Sequence, residues 1–213
     1  AENGKATGSV VPVLRFNVAY VVLATAVALI SGNAEFAFYI VVLLCLGGGV
    51  YAVHRRVGLS RGLLWCLSVW GLLHMMGGLL PVPESAPIGG PIRVLYSLWL
   101  IPGYLKYDQL VHAYGFGLTT WLFWQVLTVV FLEVSGVAPR PTAGLLTLCA
   151  CAGMGLGALN EVVEFVATLT LKETNVGGYV NTGWDLVFNL FGCVGAALII
   201  RNRIRGSGLR RGA

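Results

Sequence analysis

The sequence predicts an all-α, polytopic membrane helix bundle of about six transmembrane helices with both termini cytoplasmic. Three observations carry that prediction. The 213 residues are 57% hydrophobic and only 11% charged, with a mean hydropathy of +0.80, well outside the soluble globular range. The apolar residues gather in blocks of about 20, the length a helix needs to cross the hydrocarbon core. The short apolar–polar alternation of a β-barrel is missing. Basic residues are also divided unevenly between the two faces. With both termini inside, Lys5, Arg15, Arg55, Arg56, Arg61, Arg140, Arg201, Arg203, Arg205, Arg210 and Arg211 lie on one side, against Arg93, Lys106 and Lys172 on the other. This is the positive-inside pattern, and it predicts a multi-pass membrane protein with both termini on the cytoplasmic side.

The elements follow in order. A polar start leads into a first span, about 13–31, long enough to cross, so no cleavable signal is expected. A tight turn, Ser31–Glu35, contains Gly32 and Asn33 and leads to span two, about 36–54. The basic loop Arg55–Arg61 leads to span three, about 62–80. The segment 81–106 carries Pro81, Pro83, Pro87, Pro91 and Pro102 around an apolar stretch from Ile92 to Ile101. That stretch is too short to cross, so an interfacial or re-entrant piece is expected, serving as an outer-face loop or lid. Tyr96, Trp99, Tyr104 and Tyr107 are expected to anchor it among the headgroups. Span four covers about 107–132. Pro139 and Pro141 mark the next connection, and spans five and six cover about 143–168 and 184–201. No inverted repeat of the transporter kind is visible, and residues 1–213 read as a single membrane domain.

Beyond the bilayer itself, the Arg-rich C-terminal tail is expected to meet anionic lipids. No aromatic residue or motif accompanies its arginines in a way that would indicate nucleic acid. Trp65, Trp70, Trp121 and Trp124 offer apolar surface for lipid or for membrane protein partners. Cys45, Cys66, Cys149, Cys151 and Cys193 all fall within spans. Cys149 and Cys151 are two apart on a helix and point in different directions, so small buried packing residues are expected rather than a chelating pair. Gly153 and Gly157 have the small-xxx-small spacing that lets helices approach closely.

Charged groups inside apolar spans are costly and usually mark a site, about 2.5–3.5 kcal/mol each on insertion scales. Here they share helix faces: Asp108 with His112, Glu161 with Glu164, and Asp185 with Asn189. His74 lies near the outer end of span three. Alternating the spans puts all of these near the outer face. The Asp108-x3-His112 spacing stacks two groups one turn apart, where they can share a proton or an ion. Two carboxylates at Glu161 and Glu164 repel unless a cation or imidazolium lies between them. Asp108, His112, Glu164 and Asp185 are therefore candidate ligands for a divalent metal (Zn, Fe or Mn), with Glu161 and His74 as candidate catalytic acid/base groups. Against this stand ordinary roles: His112 paired with Asp108 as packing, Asp185 capping span six, and Asn160 and Asn189 as interhelical hydrogen-bond partners.

Tyr107-Asp108-Gln109-Leu110-Val111-His112, Asn160-Glu161-Val162-Val163-Glu164 and Trp184-Asp185-Leu186-Val187-Phe188-Asn189-Leu190-Phe191-Gly192 resemble the YjdF-type bacterial inner-membrane proteins. More distantly, they are similar to the VanZ-like family. His74-Met75-Met76-Gly77-Gly78 fits the same YjdF-type pattern. The resemblance covers about residues 62–200 and departs from it at Gln109, where a basic residue is usual, and at Asn181, where an acidic one often stands. It implies the bundle, the shared motifs and a place in the bacterial cytoplasmic (inner) membrane, and assigns no reaction.

Three functions are compatible with the cluster. One is a metal-dependent enzyme acting on a lipid or envelope substrate. The others are an ion- or proton-coupled transporter and a non-catalytic membrane subunit of a larger complex. The inner halves of the spans are nearly free of polar residues, which counts against a transport route.

Overall fold

The computed structural model describes residues 9–172 and 174–209, with side chains to Ile204. Six helices account for most of them: α1 (Val11–Ser31), α2 (Ala34–Val57), α3 (Arg61–Leu79), α4 (Tyr107–Ser135), α5 (Ala143–Thr170) and α6 (Tyr179–Leu209). Each is long and apolar enough to cross a membrane, which makes this a polytopic all-α bundle.

Local chemistry sets the helix ends. Pro12 sits in the first turn of α1, where its missing N–H costs nothing. Gly32 closes α1 with φ of 65°, a left-handed turn that a Cβ would strain. The side chains of Asn33, Ser60 and Thr142 accept the backbone N–H of Phe36, Leu63 and Leu145 at the starts of α2, α3 and α5. In α4 the Gln109 side chain reaches back to accept the Lys106 N–H at 2.9 Å.

Successive helices run in opposite directions. The α1–α2 turn, the 80–106 segment and the α5–α6 loop therefore meet at one end, here the cap end, tied by Glu35 to Asn175 and by Asn175 to Ser97. At the other end Ser60 and Gln125 bond reciprocally, joining the start of α3 to α4. One apolar cluster near the cap packs Phe36, Ile40, Met75 and Ala167. Two others, around Leu63 and Leu122 and around Trp124 and Ile200, fill the opposite half. The outward surface is itself apolar: Ile30, Val22 and Leu148 are exposed. This is the arrangement expected when lipid replaces water as solvent.

The closest helix pair is α4 with α6. A Cβ on Gly192 would run into the carbonyl of Ala113, and one on Gly117 would lie 3.0 Å from the Gly192 carbonyl oxygen. Gly153 and Gly157 face Thr120 and Asn189, so this small-residue pair serves packing inside the bundle.

Several expectations need correction. The 92–101 stretch, expected as an interfacial or re-entrant piece, is largely non-helical. It forms a short 3-10 turn (Leu95–Ser97) and an antiparallel pair, β1 (Trp99–Ile101) with β2 (Leu105–Lys106), turning at Gly103. Pro91 and Pro102 bracket the stretch, and backbone bridges from Pro81 to Val94 and from Ile88 to Leu98 brace it. Tyr96 and Tyr107 turn inward, bonding His74 and the Leu73 carbonyl, while Tyr104 is 82% exposed. Trp124 is buried and Trp65, Trp70 and Trp121 are partly buried against neighbours, so the four tryptophans do not form an exposed patch. Cys149 and Cys193 are buried, but Cys45 and Cys151 are exposed on the outer faces of their helices. In the C-terminal stretch, Arg203 lies over the Trp121 ring at 5.3 Å. The Arg205 side chain, Arg210, Arg211 and Lys5 lie outside the described residues.

Candidate functional site

At the cap end, α4, α5 and α6 bring their polar faces together around His112. The α4–α6 glycine contact makes this possible, because it holds the two backbones close enough for short side chains to meet. On one side, His112 Nε2 lies 3.6 Å from Asp108 Oδ1. On the other, His112 Nδ1 lies 3.1 Å from Asn189 Oδ1 and 3.7 Å from Glu161 Oε1. Asn181 donates to Asp185 Oδ2 at 2.6 Å and to Asp108 Oδ2 at 3.5 Å. Asn160 donates to Glu164 Oε1 at 2.8 Å.

The candidate ligands therefore separate into two groups that share one imidazole. In the first, atoms of Asp108, His112 and Asp185 lie within 4.8 Å of one another; in the second, those of His112, Glu161 and Glu164 do. Glu164 thus stands with Glu161 rather than with the two aspartates. Asp185 and Asn189 are fully buried. Helix α6 begins at Tyr179, so Asp185 lies six residues inside it and is not its capping residue.

Orphaned polar atoms concentrate here. Among the described residues, both oxygens of Glu161, Asp185 Oδ1 and Asn189 Nδ2 are buried without a hydrogen-bond partner. Such atoms are costly to leave unpaired, and in a native protein they call for an ion or a water. Two unit charges 4 Å apart interact by about 4 kcal/mol at an effective dielectric of 20. Four carboxylates around one imidazole thus need compensating positive charge or shared protons. Lys106 supplies part of it. This residue, counted above as a topology charge, is buried, and its ammonium donates to Asn181 Oδ1. Asn181 thereby links Lys106 to both aspartates. Lys106 also brings positive charge to the start of the helix that carries Gln109.

His74 stands apart from both groups of ligands. It lies among Phe36, Tyr39 and Tyr96 and is hydrogen-bonded through Nδ1 to the Tyr96 hydroxyl. Burial, reinforced by the Asp108 and Glu164 carboxylates, holds the Tyr96 phenol well above its ordinary range, so Tyr96 keeps its proton and can donate it. His74 then carries its own proton on Nε2. Between His74 and the carboxylates lies a cavity of about 30 Å³ lined by Glu35, Tyr39, Tyr96, Asp108 and Glu164, among others. That volume exceeds the roughly 10–15 Å³ that one water needs, so the cavity can take a water or a bare cation.

Sequence reasoning passed over Glu35, Tyr39 and Asn175. Glu35 is 7% exposed, and both its oxygens accept the Asn175 N–H, at 3.0 and 2.9 Å. Its place directly after a Gly-Asn turn made it read as a surface residue. The available signal was a carboxylate at the very start of an apolar span.

Residues 12–205 match the profile of a family described as predicted membrane protein (DUF2238). Neither curated proteins nor solved structures yield a match.

Proposed function

Since the chain belongs to this family of predicted membrane proteins and holds one imidazole between two carboxylate pairs, we propose that it is a metal-dependent membrane enzyme. It acts on a lipid or envelope substrate at the cap end. The observation that carries the reading is the buried Asp185 Oδ1, left without a hydrogen-bond partner where atoms of Asp108, His112 and Asp185 lie within 4.8 Å of one another. Mixed imidazole and carboxylate donors suit Zn²⁺, Fe²⁺ or Mn²⁺.

The partners of His112 favour one side for the cation. With the Asn189 carbonyl oxygen and Glu161 both facing Nδ1, that nitrogen carries the proton, and Nε2 is left as the ligating atom. This tautomer is assigned from the hydrogen-bond partners. Asp108, His112 Nε2 and Asp185 would hold the cation, and Asn181 and Lys106 orient the two aspartates. A cation bound there would polarise an ester or amide and lower the pKa of a water. Glu161 stands on the Nδ1 side of the same imidazole and is the residue left free to move a proton, with Glu164 near it. His74, held by Tyr96, is the second acid/base candidate. The 80–106 cap, whose Tyr96 lines the cavity beside His74, serves as the lid over the site. The excess of basic residues at the opposite end supports a cap facing away from the cytoplasm in an inner membrane.

The test is metal content by mass spectrometry for protein in nanodiscs, for wild type and Asp108→Ala. About one transition metal per chain, lost in the variant while thermal unfolding stays cooperative, is the expected result. No metal in either, or equal metal in both, overturns the metal reading. For the enzymatic part, metal-loaded protein in nanodiscs of native lipid should release a water-soluble product, and Glu161→Gln should stop that release with the metal still bound.

A further inference from the structure

At the end opposite the cap, α2 meets the bundle only through partly buried side chains, Val50, Val53 and Val57. Its buried residues, Glu35, Phe36, Tyr39 and Ile40, all lie in its first two turns, and none beyond Ile40 is buried. Between α1, α2 and α3 lies a groove of about 360 Å³, within the size range of small-molecule sites, roughly 300–1,000 Å³. Its walls are mostly aliphatic, among them Val13, Leu14, Leu43 and Val50. Gly47 and Gly48 form part of the α2 wall, and a Cβ on either would meet nothing within 4 Å.

Length and charge identify the occupant. The groove runs from Val10 to Val21 on α1 and from His54 back to Leu43 on α2. Either stretch is about 17 Å at 1.5 Å per residue, close to the depth of one leaflet, half of a hydrocarbon core of about 30 Å. Arg55 and Arg56 follow His54 at its open end, Arg15 lies on the first turns of α1, and Arg61 opens α3. Glu133 is the one acidic residue at that end among the described residues. His54 Nδ1, in the wall at the mouth, is buried without a hydrogen-bond partner among the described residues. A water-soluble ligand has little to bond along these walls, whereas an acyl chain fits them and an anionic headgroup meets the arginines.

We propose that this groove is a binding site for one anionic phospholipid, with an acyl chain between α1 and α2 and its phosphate on the arginine cluster. It is separate from the His112 site and does not depend on the metal reading. The probe is a photoactivatable phosphatidylglycerol in nanodiscs of 1:4 phosphatidylglycerol to phosphatidylcholine, with the labelled peptides mapped by mass spectrometry. Labelling concentrated on residues 10–21 and 43–54 is expected, competed by unlabelled phosphatidylglycerol over phosphatidylcholine by roughly fivefold per arginine engaged. Arg55→Gln with Arg56→Gln should lose that preference while keeping the location. Gly48→Leu, which fills the groove, should abolish the label. Labelling spread evenly around the bundle, or equal competition by the two lipids, overturns the proposal. Because mapping and competition are read on the wild-type protein, they decide the matter even if Gly48→Leu fails to fold. Protection of both segments by dimerisation, with no lipid label there, would also overturn it and assign the groove to a second copy.

Discussion

Gly192→Ala tests the step from helix packing to site geometry. The added methyl would run into the Ala113 carbonyl, with the Ala113 carbonyl carbon at 2.7 Å and its Cα at 2.9 Å. Ordinary contact begins near 3.4 Å, and the obstacle is backbone, which cannot rotate aside. The two helices must separate by several tenths of an ångström or more. Overpacking of this kind costs about 1–3 kcal/mol. Separation would also lengthen the 3.1 Å contact between His112 and Asn189 and move Asp185 from Asp108, two contacts carried by the same helix pair. Gly195→Ala is the control: it lies on the same helix, and its methyl meets nothing within 4 Å. Both substitutions gain the same helix propensity, up to about 1 kcal/mol, so that gain cancels in the comparison. Thermal unfolding in nanodiscs should place Gly192→Ala below Gly195→Ala by the overpacking cost. Titration with Mn²⁺ or Zn²⁺ should show weaker binding for Gly192→Ala alone. Equal stability of the two variants would refute the claim that the α4–α6 contact is tight, and undiminished metal affinity in a destabilised Gly192→Ala would separate the packing from the site.

Tyr96→Phe removes the hydroxyl on His74. Because the folded-state pKa of Tyr96 is raised above the unfolded value of about 10, its contribution is present below pH 10 and declines as pH rises further. Wild type should therefore lose stability above pH 10 more steeply than Tyr96→Phe, by up to about 1.4 kcal/mol per pH unit for one proton; parallel curves from denaturation between pH 9 and 11.5 would contradict this. Glu35→Ala strips both acceptors from the Asn175 N–H and should cost about 1–3 kcal/mol. Hydrogen exchange should accelerate in residues 174–178 while α4 stays protected. Asn181→Leu leaves Lys106, Asp108 and Asp185 without their shared amide; metal binding should weaken about 10–100-fold, as for other orienting partners, and calorimetric titration that finds no change would remove Asn181 from the site.

The element pattern was legible because a bilayer imposes it locally. Backbone groups in hydrocarbon must bond within their own segment, so each run of about 20 apolar residues declares a helix without reference to the rest of the chain. Helical spacing likewise placed Asp108 with His112 and Glu161 with Glu164 from sequence alone. The cap misled because prolines say where a helix cannot be without saying what replaces it. Tyr96 and Tyr107 read as interfacial anchors because an aromatic side chain gives no sign of the direction in which it will turn. Lys106 read as a surface charge because its burial depends on Asn181, 75 residues away.

The sequence by itself determined six membrane-length helices and the polar face of each, since length and period are properties of a single segment. Which faces meet, at what depth and rotation, was decided only by tertiary packing. Glu35 reaches Asn175 across 140 residues, His112 reaches Asn189 across 77, and Gly192 sets the distance over which the second pair can bond. An apolar helix surface in lipid gains little from any one rotation over another. Close backbone approach at glycine and the pairing of buried polar atoms supply the preference, and both need two segments at once.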